Sequence, residues 1–467
     1  MTSKKLKLTF CGGAGMVTGA NFLIEELPLD SAQGKKFLID CGLIQGEKVA
    51  EDKSWAPFPY DPAKIDALFV THAHADHIGR IPKLIHEGFR GKIYSTPATK
   101  DLSEVMLFDA NKILSRNKKF DLKKIYNKEN LKRAMELWEG VDYHKTINLS
   151  AQAGLQGGFE ALFKEAGHIL GSAMVEIKYN ESKIVFTGDL GNSPSPLLPD
   201  TEKISDANYL IMESVYGDRN HEPHEERRKM LEKILEDNFK NNGTLIIPIF
   251  TLERSQELLF EINNLVENKR VPIMPIFFDS PLAIILTDVF KKHQSYFNKK
   301  AQALISTGDN IFHFPGLRMT FETEESKLIK EVTGPKVVIA GAGMSTGGRI
   351  LHHEKNYLPD PKNTILLTGY QALGSLGRRI EDGAKKVKIF GSEIEVKAKV
   401  VTIKGYSGHK DLDNLVNFVQ DSADSLDKVF VVMGEPKSSM FLSQRIMDYL
   451  GIKAYVPKMG ESVEIEV

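Results

Sequence analysis

Residues 71–77, Thr71-His72-Ala73-His74-Ala75-Asp76-His77, place three histidines and an aspartate within a few positions of one another. They follow the apolar run 65–70, which predicts a short buried strand. A loop at the end of a strand can direct several side chains at one point. These side chains would repel and desolvate one another without a cation, and the donor set suits zinc better than manganese, iron or cobalt. The alternative is a histidine-rich surface loop.

Composition indicates an ordinary soluble protein with two sizeable domains. The 467 residues include 42% hydrophobic and 26% charged residues, with a formal net charge of −1. The whole molecule therefore exerts no long-range attraction on nucleic acid, and polyanion binding would need a local patch. Cys11 and Cys41 are expected to be buried thiols in a reducing compartment, with a disulfide as the alternative. No apolar stretch has transmembrane length and residues 1–10 lack a signal-peptide core, so we expect a cytoplasmic protein with no membrane contact.

The remaining pattern predicts strands and helices around this loop. Residues 6–10 and 21–24 are expected to form a hairpin, and residues 36–40 and 183–186 two more strands. Residues 99–138 are expected to be helical. They carry a basic run that is either a solvated face or a contact for phosphates: Lys112, Arg116, Lys118, Lys119, Lys123, Lys124, Lys128, Lys132 and Arg133. Strand candidates at 245–250 and 337–340 alternate with helices at 227–239 and 255–266, which predicts an α/β domain with a largely parallel sheet.

The loop at 71–77 resembles the His-x-His-x-Asp-His signature of the metallo-β-lactamase superfamily, and two later segments fit its order. Alone, His168 could be an ordinary turn histidine, and Asp40 or Asp189 a turn former. The resemblance implies a first metal held by His72, His74 and His168, a second held by Asp76 and His77, and Asp189 bridging both. It also implies that Asp40 supports the loop from behind.

A second set of motifs resembles the β-CASP domain that is inserted into this fold in nucleic-acid-processing nucleases. The set starts at Glu213-Ser214-Val215-Tyr216-Gly217 and continues in segments 248–258, 279–283, 343–348 and 369–377. The chain thus resembles the nuclease subunit of the mRNA 3′-end cleavage machinery and its bacterial and archaeal relatives. We expect an α/β fold, an αββα metallo-β-lactamase sandwich (residues 1–206 and 405–467) with an inserted α/β β-CASP domain (residues 207–404).

The resemblance implies a zinc-dependent nuclease that leaves 5′-phosphate and 3′-hydroxyl ends. The expected catalytic residues are Asp40, Asp76, Glu213 and His409, with Glu213 and His409 as a proton-donating pair. The candidates for holding phosphates of the strand are Ser345, Thr346, Arg349, Arg378 and Arg379. For each arginine the alternative is a surface ion pair. Single-stranded RNA is the expected partner, DNA is the alternative, and a homodimer is left open.

Met433 departs from the resembled pattern, because the family segment there reads Val-His-Gly-Glu and its histidine completes the second metal site. A thioether is a poor zinc ligand beside oxygen donors. We therefore expect one or two zinc ions, with the second site short of one nitrogen donor. Two other functions stay open: a catalytically weak nucleic-acid-binding subunit, which Met433 favours, and a hydrolase of small esters.

Overall fold

The computed structural model describes residues 5–27, 34–45, 48–115, 120–149, 158–222, 224–369, 371–372 and 374–467. The chain divides into two compact units. Unit 1 comprises Met1–Ser193, Asp200–Asn220 and His409–Val467, and unit 2 comprises Pro194–Pro199 and His221–Gly408. The domain limits expected at residues 206 and 404 stay a prediction.

Unit 1 contains two mixed sheets. Its strands, numbered along the whole chain, are β1 (Lys5–Gly12), β2 (Asn21–Leu27), β3 (Lys36–Ile39), β4 (Ala67–Phe69), β5 (Lys92–Ser95), β6 (Trp138–Gly140), β7 (Ile147–Asn148), β8 (Phe159–Glu165), β9 (Ala173–Tyr179), β10 (Ser182–Phe186), β11 (Tyr209–Met212), β20 (Lys428–Val431), β21 (Ala454–Tyr455) and β22 (Ser462–Glu466). One sheet has the order β22-β1-β2-β3-β4-β5-β6 and the other the order β21-β20-β11-β10-β9-β8-β7. The predicted hairpin is confirmed, because β1 and β2 pair antiparallel.

The two sheets pack face to face, with helices outside each. The helices of unit 1 are α1 (Lys48–Trp55), α2 (Ala75–Ile78), α3 (Ile81–His86), α4 (Pro97–Leu114), α5 (Lys128–Leu137), α13 (Leu412–Gln420) and α14 (Pro436–Leu450). Alternate residues of the strands, such as Phe10 and Phe186, form the apolar layer between the sheets. Residues on the outer faces of the sheets pack against helices. Leu68 of β4 belongs to the same core cluster as Leu84 of α3, and Leu210 of β11 to the same cluster as Leu442 of α14. This is the expected αββα sandwich.

Unit 2 is built on a parallel sheet. The strands of this sheet are β12 (Thr244–Pro248), β13 (Ile276–Phe278), β14 (Leu317–Met319), β15 (Lys336–Ala340), β16 (Thr364–Thr368) and β19 (Lys399–Ile403). A separate antiparallel pair is formed by β17 (Lys386–Ile389) and β18 (Ser392–Glu395). Its helices are α6 (His224–Lys240), α7 (Arg254–Glu267), α8 (Pro281–Lys292), α9 (Lys299–Ser306), α10 (Thr323–Leu328), α11 (Ile350–Tyr357) and α12 (Leu376–Glu381). The order β14-β13-β15-β12-β16-β19 is parallel at each pairing, which confirms the predicted α/β unit. Each residue of β12, β15 and β16 is buried, as expected for a sheet covered on both faces.

The prediction of one helical stretch over residues 99–138 is wrong in its middle. Helix α4 ends at Leu114, and α5 starts anew at Lys128 after Asn127, whose side chain caps it by accepting a hydrogen bond from the Asn130 amide. Arg116, Lys118 and Lys119 lie outside the described residues. Several of the other basic side chains form ion pairs on the surface, at Lys112–Asp109, Lys124–Asp121 and Arg133–Glu136, as the solvated-face alternative expects.

Two smaller expectations can also be compared with the structure. Cys11 and Cys41 are both buried free thiols, so the disulfide alternative is wrong. Over the part of the chain that is described, no helix combines the length and the apolar character needed to cross a membrane.

Candidate active site

The loop at 71–77 is held by the backbone of two neighbouring segments. The amides of Ala20, Cys41 and Leu43 donate to the carbonyl oxygens of Asp76, His77 and Ala75 at 2.9, 2.7 and 2.9 Å. Gly42 lies so close to the loop that a Cβ atom there would stand 1.5 Å from the Asp76 carbonyl oxygen. Only glycine fits at this position. The loop is therefore shaped by the protein before any ligand binds.

Asp40 lies directly behind this loop and is completely buried. Its Oδ1 accepts a hydrogen bond from the Thr71 amide, and its Oδ2 accepts one from the Thr71 hydroxyl, each at 2.8 Å. Oδ2 is also 2.8 Å from His77 Nδ1, so the network assigns the imidazole proton to Nδ1. The lone pair of His77 Nε2 is then available to a metal, which is the usual arrangement of a carboxylate, a histidine and a metal. The geometry suits the supporting role predicted for Asp40, which stays a prediction.

Four of the predicted ligands meet in one cluster. His74 Nδ1 lies 3.1 Å from His72 Nε2 and 3.2 Å from His168 Nε2. Asp189 Oδ2 lies 3.4 Å from His72 Nε2 and 3.6 Å from His168 Nε2. His72, His168 and Asp189 are buried and His74 is partly buried, so a single ion could be enclosed by all four donors.

A second group of donors lies on the other side of Asp189. Its Oδ1 is 3.5 Å from His77 Nε2, which in turn is 4.0 Å from Asp76 Oδ2. Within the described residues, Asp189 Oδ1 and His77 Nε2 are both buried without a hydrogen-bond partner. Leaving such polar atoms unsatisfied is costly, and a cation between them would satisfy both. The residues therefore fit a second ion as well as a first.

Met433 is a core residue of unit 1. It is buried in the apolar layer between the sheets, and its sulfur lies 2.6 Å from the position of a Cβ on Gly13. Its backbone adopts a left-handed φ of 51° and its amide donates to the Gly13 carbonyl at 2.6 Å. This position supplies a packing group rather than a nitrogen donor.

Glu213 and His409 form a close pair, although they are far apart in the sequence. Glu213 follows β11, is fully buried, and accepts the Leu190 amide at 2.6 Å. Its Oε1 is also 3.1 Å from His409 Nδ1. Burial lowers the pKa of His409, but the carboxylates of Glu213 and Asp189 outweigh it and raise that pKa to about 9. His409 Nδ1 lies 3.9 Å from Asp189 Oδ2, so the pair adjoins the metal-binding cluster.

The candidate phosphate-binding residues of unit 2 have diverse surroundings. Thr346 and Arg379 are exposed, whereas Ser345 is buried, has a φ of 54° and donates to the Glu354 carboxylate. The remaining two arginines are engaged in contacts within unit 2. Arg378 pairs with Asp382 at 2.9 Å, and Arg349 binds buried Asp279 at 2.7 Å and the carbonyl oxygens of Thr320 and Phe321 at 3.1 and 2.6 Å. These contacts resemble the ion-pair alternative more than an open phosphate site.

The Glu354 carboxyl beneath Ser345 predicts a pH-dependent stability. Burial raises its pKa to about 7, despite the hydrogen bond from Ser345. Because the pKa of this carboxyl is higher in the folded than in the unfolded state, the group contributes stability at pH values below its unfolded-state pKa. This contribution is lost as the pH rises through the folded-state pKa. We expect this contribution, about 3 kcal/mol in full, to disappear between about pH 4.5 and pH 7. Thermal unfolding at pH 5 and pH 8 should show a smaller pH effect in Glu354→Gln than in wild type, and an equal effect in both would contradict the prediction.

Tyr216, which lies near His409, and Arg219, which packs on Tyr216, were not predicted as site residues. The Tyr216 ring centre lies 6.2 Å from the His409 ring centre, and the Arg219 guanidinium carbon stands 5.1 Å over the Tyr216 ring. Tyr216 belongs to the motif that resembles the opening of a β-CASP domain. Arg219 follows that motif, and a single arginine after a turn carries no sequence signal of its own.

Comparison with known proteins is consistent with this arrangement. Residues 22–240 match the metallo-β-lactamase superfamily, residues 255–380 the β-CASP domain, and residues 393–457 the Zn-dependent metallo-hydrolase RNA specificity domain. The chain belongs to the β-CASP branch of the metallo-β-lactamase superfamily, as the sequence motifs predicted.

Relatives match over nearly the whole chain. The chain is 36% identical to "Ribonuclease TTHA0252" of Thermus thermophilus, over 97% of this chain and 99% of that protein. It is 32% identical to an "RNase J-like protein" of Methanocaldococcus jannaschii, over 93% of this chain and 95% of that protein. A crystal structure of a protein of unknown function from Enterococcus faecalis matches with a TM-score of 0.56 at 12% identity, covering 99% of this chain and all of that one. That last similarity concerns the fold alone.

Proposed function

We propose that this chain is a zinc-dependent nuclease that hydrolyses phosphodiester bonds of single-stranded RNA. The four-donor cluster carries the proposal. A tetrahedral zinc ion with bonds of about 2.0–2.1 Å needs donors roughly 3.3–3.4 Å apart. Four separations among His72, His74, His168 and Asp189 are 3.1, 3.2, 3.4 and 3.6 Å, which bracket that value. Three imidazoles with one carboxylate are also the donors that zinc prefers.

Each ligand has a place in this scheme. His72, His74 and His168 would hold the first ion, Asp76 and His77 the second, and Asp189 both. Bound zinc supplies Lewis acidity, which activates water and stabilises negative charge on the phosphate. Asp40 keeps His77 in the tautomer that can bind metal, and so acts through another residue rather than on the substrate.

The protein side chains would move two protons in the reaction. A water oxygen bonds to phosphorus and the P–O3′ bond breaks, giving a 5′-phosphate and a 3′-hydroxyl. His409, whose Nδ1 faces Glu213, gives a proton to the departing O3′. The water loses a proton to Asp76, whose carboxylate is 19% exposed and therefore accessible from the surface. Buried Glu213, whose Oε1 is 3.1 Å from His409 Nδ1, favours the protonated imidazole that this acid role needs.

RNA is the proposed substrate because of the relatives rather than the metal site. Two similar proteins are named as a ribonuclease and as RNase J-like, and residues 393–457 match a domain described by RNA specificity. Thr346 and Arg379 are the exposed candidates for phosphate contacts in unit 2. The test is metal-dependent cleavage of labelled RNA beside a matched DNA.

Met433 predicts unequal metal sites. The first group has four donors, whereas the second has His77, Asp76 and one oxygen of Asp189. Wild-type protein should therefore retain one tightly bound zinc after dialysis, because fewer protein donors hold the second ion. Histidine tolerates the left-handed backbone found at this position better than most residues. The family resemblance places a histidine ligand of the second site at this position, so Met433→His should raise the retained zinc to two ions per chain by elemental analysis, with Met433→Leu as the control. Two tightly held ions in wild type would contradict the prediction.

A further inference from the structure

The loop after Glu213 is fastened to the segment that carries His409. Tyr216 pairs with Asp411 in a parallel β-bridge, and the Leu412 amide donates to the Arg219 carbonyl at 3.1 Å. The Arg219 amide donates in turn to the Tyr216 carbonyl at 3.3 Å. The backbone of Arg219 is thus held in a defined position relative to His409.

The Arg219 side chain is oriented by stacking rather than neutralised by a strong ion pair. It is 52% exposed, and its Nε is 3.7 Å from the Asp218 carboxylate, beyond hydrogen-bond range. That carboxylate is shared with Lys437 at 3.6 Å. Exposed ion pairs of this kind contribute little free energy. Stacking on Tyr216, by contrast, holds the planar guanidinium in a fixed orientation. Arg219 therefore presents a positioned positive charge to solvent.

The distance from Arg219 to His409 corresponds to a few nucleotides. Separations of 5.1 Å from guanidinium to the Tyr216 ring and 6.2 Å from that ring to the His409 ring place the charge within about 11 Å of the imidazole. A stacked strand advances about 3.4 Å per nucleotide along its axis, so the charge lies at most about three nucleotides from the imidazole. Arginine binds phosphate oxygens through two parallel N–H groups, which suits a sequence-independent contact.

We propose that Arg219, stacked on Tyr216, binds a backbone phosphate of the leaving strand, the upstream segment that ends in the new 3′-hydroxyl. This inference rests on the proposed function, in which His409 protonates the departing O3′. The upstream nucleotide must then lie on the His409 side of the scissile phosphate. Because Arg219 lies within about 11 Å of His409, we assign its phosphate contact to the strand upstream of the cut.

Arg219→Gln tests the contact through binding. We expect the KM for RNA to rise about tenfold while kcat changes less than twofold, because the interaction is equal in ground and transition states. The slope of log affinity against log salt should become shallower by about 0.7, the value for one phosphate contact on a single strand. Arg219→Lys should retain part of the affinity and covers the case in which the glutamine variant folds poorly.

Arg445 offers a matched control, since it is an arginine of unit 1 that stacks over Phe441 and Tyr449 on α14. Arg445→Gln should leave KM and the salt slope unchanged. Equal KM values and equal salt slopes for wild type and Arg219→Gln would overturn the proposal. An equal loss of RNA affinity in Arg219→Gln and Arg445→Gln would also overturn it.

Product inhibition tests whether Arg219 contacts the upstream or the downstream product strand. An oligonucleotide with a 3′-hydroxyl should inhibit Arg219→Gln less well than wild type, whereas one with a 5′-phosphate should inhibit both equally. Weakened inhibition by the 5′-phosphate oligonucleotide alone would place Arg219 on the downstream strand and overturn the assignment. If wild type cleaves no RNA, the proposed function fails by itself, and anisotropy of labelled 3′-hydroxyl RNA on wild type and Arg219→Gln still tests the contact.

Discussion

Replacing Asp189 by alanine should lower RNA cleavage at least about 1,000-fold and lower the content of bound metal, while the fold survives. Asp189 is the residue shared by both donor groups. Its Oδ2 lies 3.4 Å from His72 Nε2, and its Oδ1 lies 3.5 Å from His77 Nε2. Its loss removes one donor from each group at once. Elemental analysis after dialysis, initial cleavage rates and circular dichroism would be measured on the same preparation.

Asp424→Ala is the matched control for this variant, because Asp424 is an exposed aspartate of the same unit. It should keep wild-type metal content and cleavage. If Asp189→Ala kept both its metal and its activity, the donor cluster would not be the catalytic metal site.

Replacing His409 by alanine should lower kcat about 100- to 10,000-fold, the usual range for losing a general acid, with the first metal retained. His409 is not one of the four clustered donors, and its Nδ1 is bound to Glu213 instead. Glu213→Gln should reduce kcat in the same direction, because the neutral amide no longer favours protonated imidazole. Retained metal distinguishes both variants from Asp189→Ala.

A substrate with sulfur in place of the bridging 3′-oxygen tests this role directly. A thiolate leaves without needing a proton, so His409→Ala should cleave this RNA at a rate much closer to that of wild type. An equal deficit on the oxygen and sulfur substrates would show that His409 does not act as the acid.

Local sequence patterns predicted a metal site at the loop 71–77, whereas His168 and Asp189 came from the family resemblance. The strand at 67–69 and the histidines after it were predicted together, since a strand end and its loop are consecutive in the chain. Asp40 and His77 meet although 37 residues separate them, because β3 and β4 are parallel neighbours. The family resemblance supplied the support of the loop by Asp40, which spacing alone could not, but it did not name His77 as the partner.

Other features depend on tertiary contacts that no local pattern encodes. Arg349 was a candidate for phosphate binding, but Asp279, 70 positions away, occupies its guanidinium. Arg219 was missed because its relation to His409 arises from a bridge between Tyr216 and Asp411. The break between α4 and α5 was missed because the cap at Asn127 lies inside a run with high helix propensity.

The most direct measurement is cleavage of a 5′-labelled single-stranded RNA and a DNA of the same sequence, with added zinc and with a chelator. Asp189→Ala purified in parallel controls for contaminating nucleases. The proposed function predicts zinc-dependent cutting of RNA, much slower cutting of DNA, 3′-hydroxyl ends on the labelled fragments, and loss of activity with chelator or in the variant. Cutting that persists in the chelator or in Asp189→Ala would contradict it, as would intact RNA at every zinc concentration.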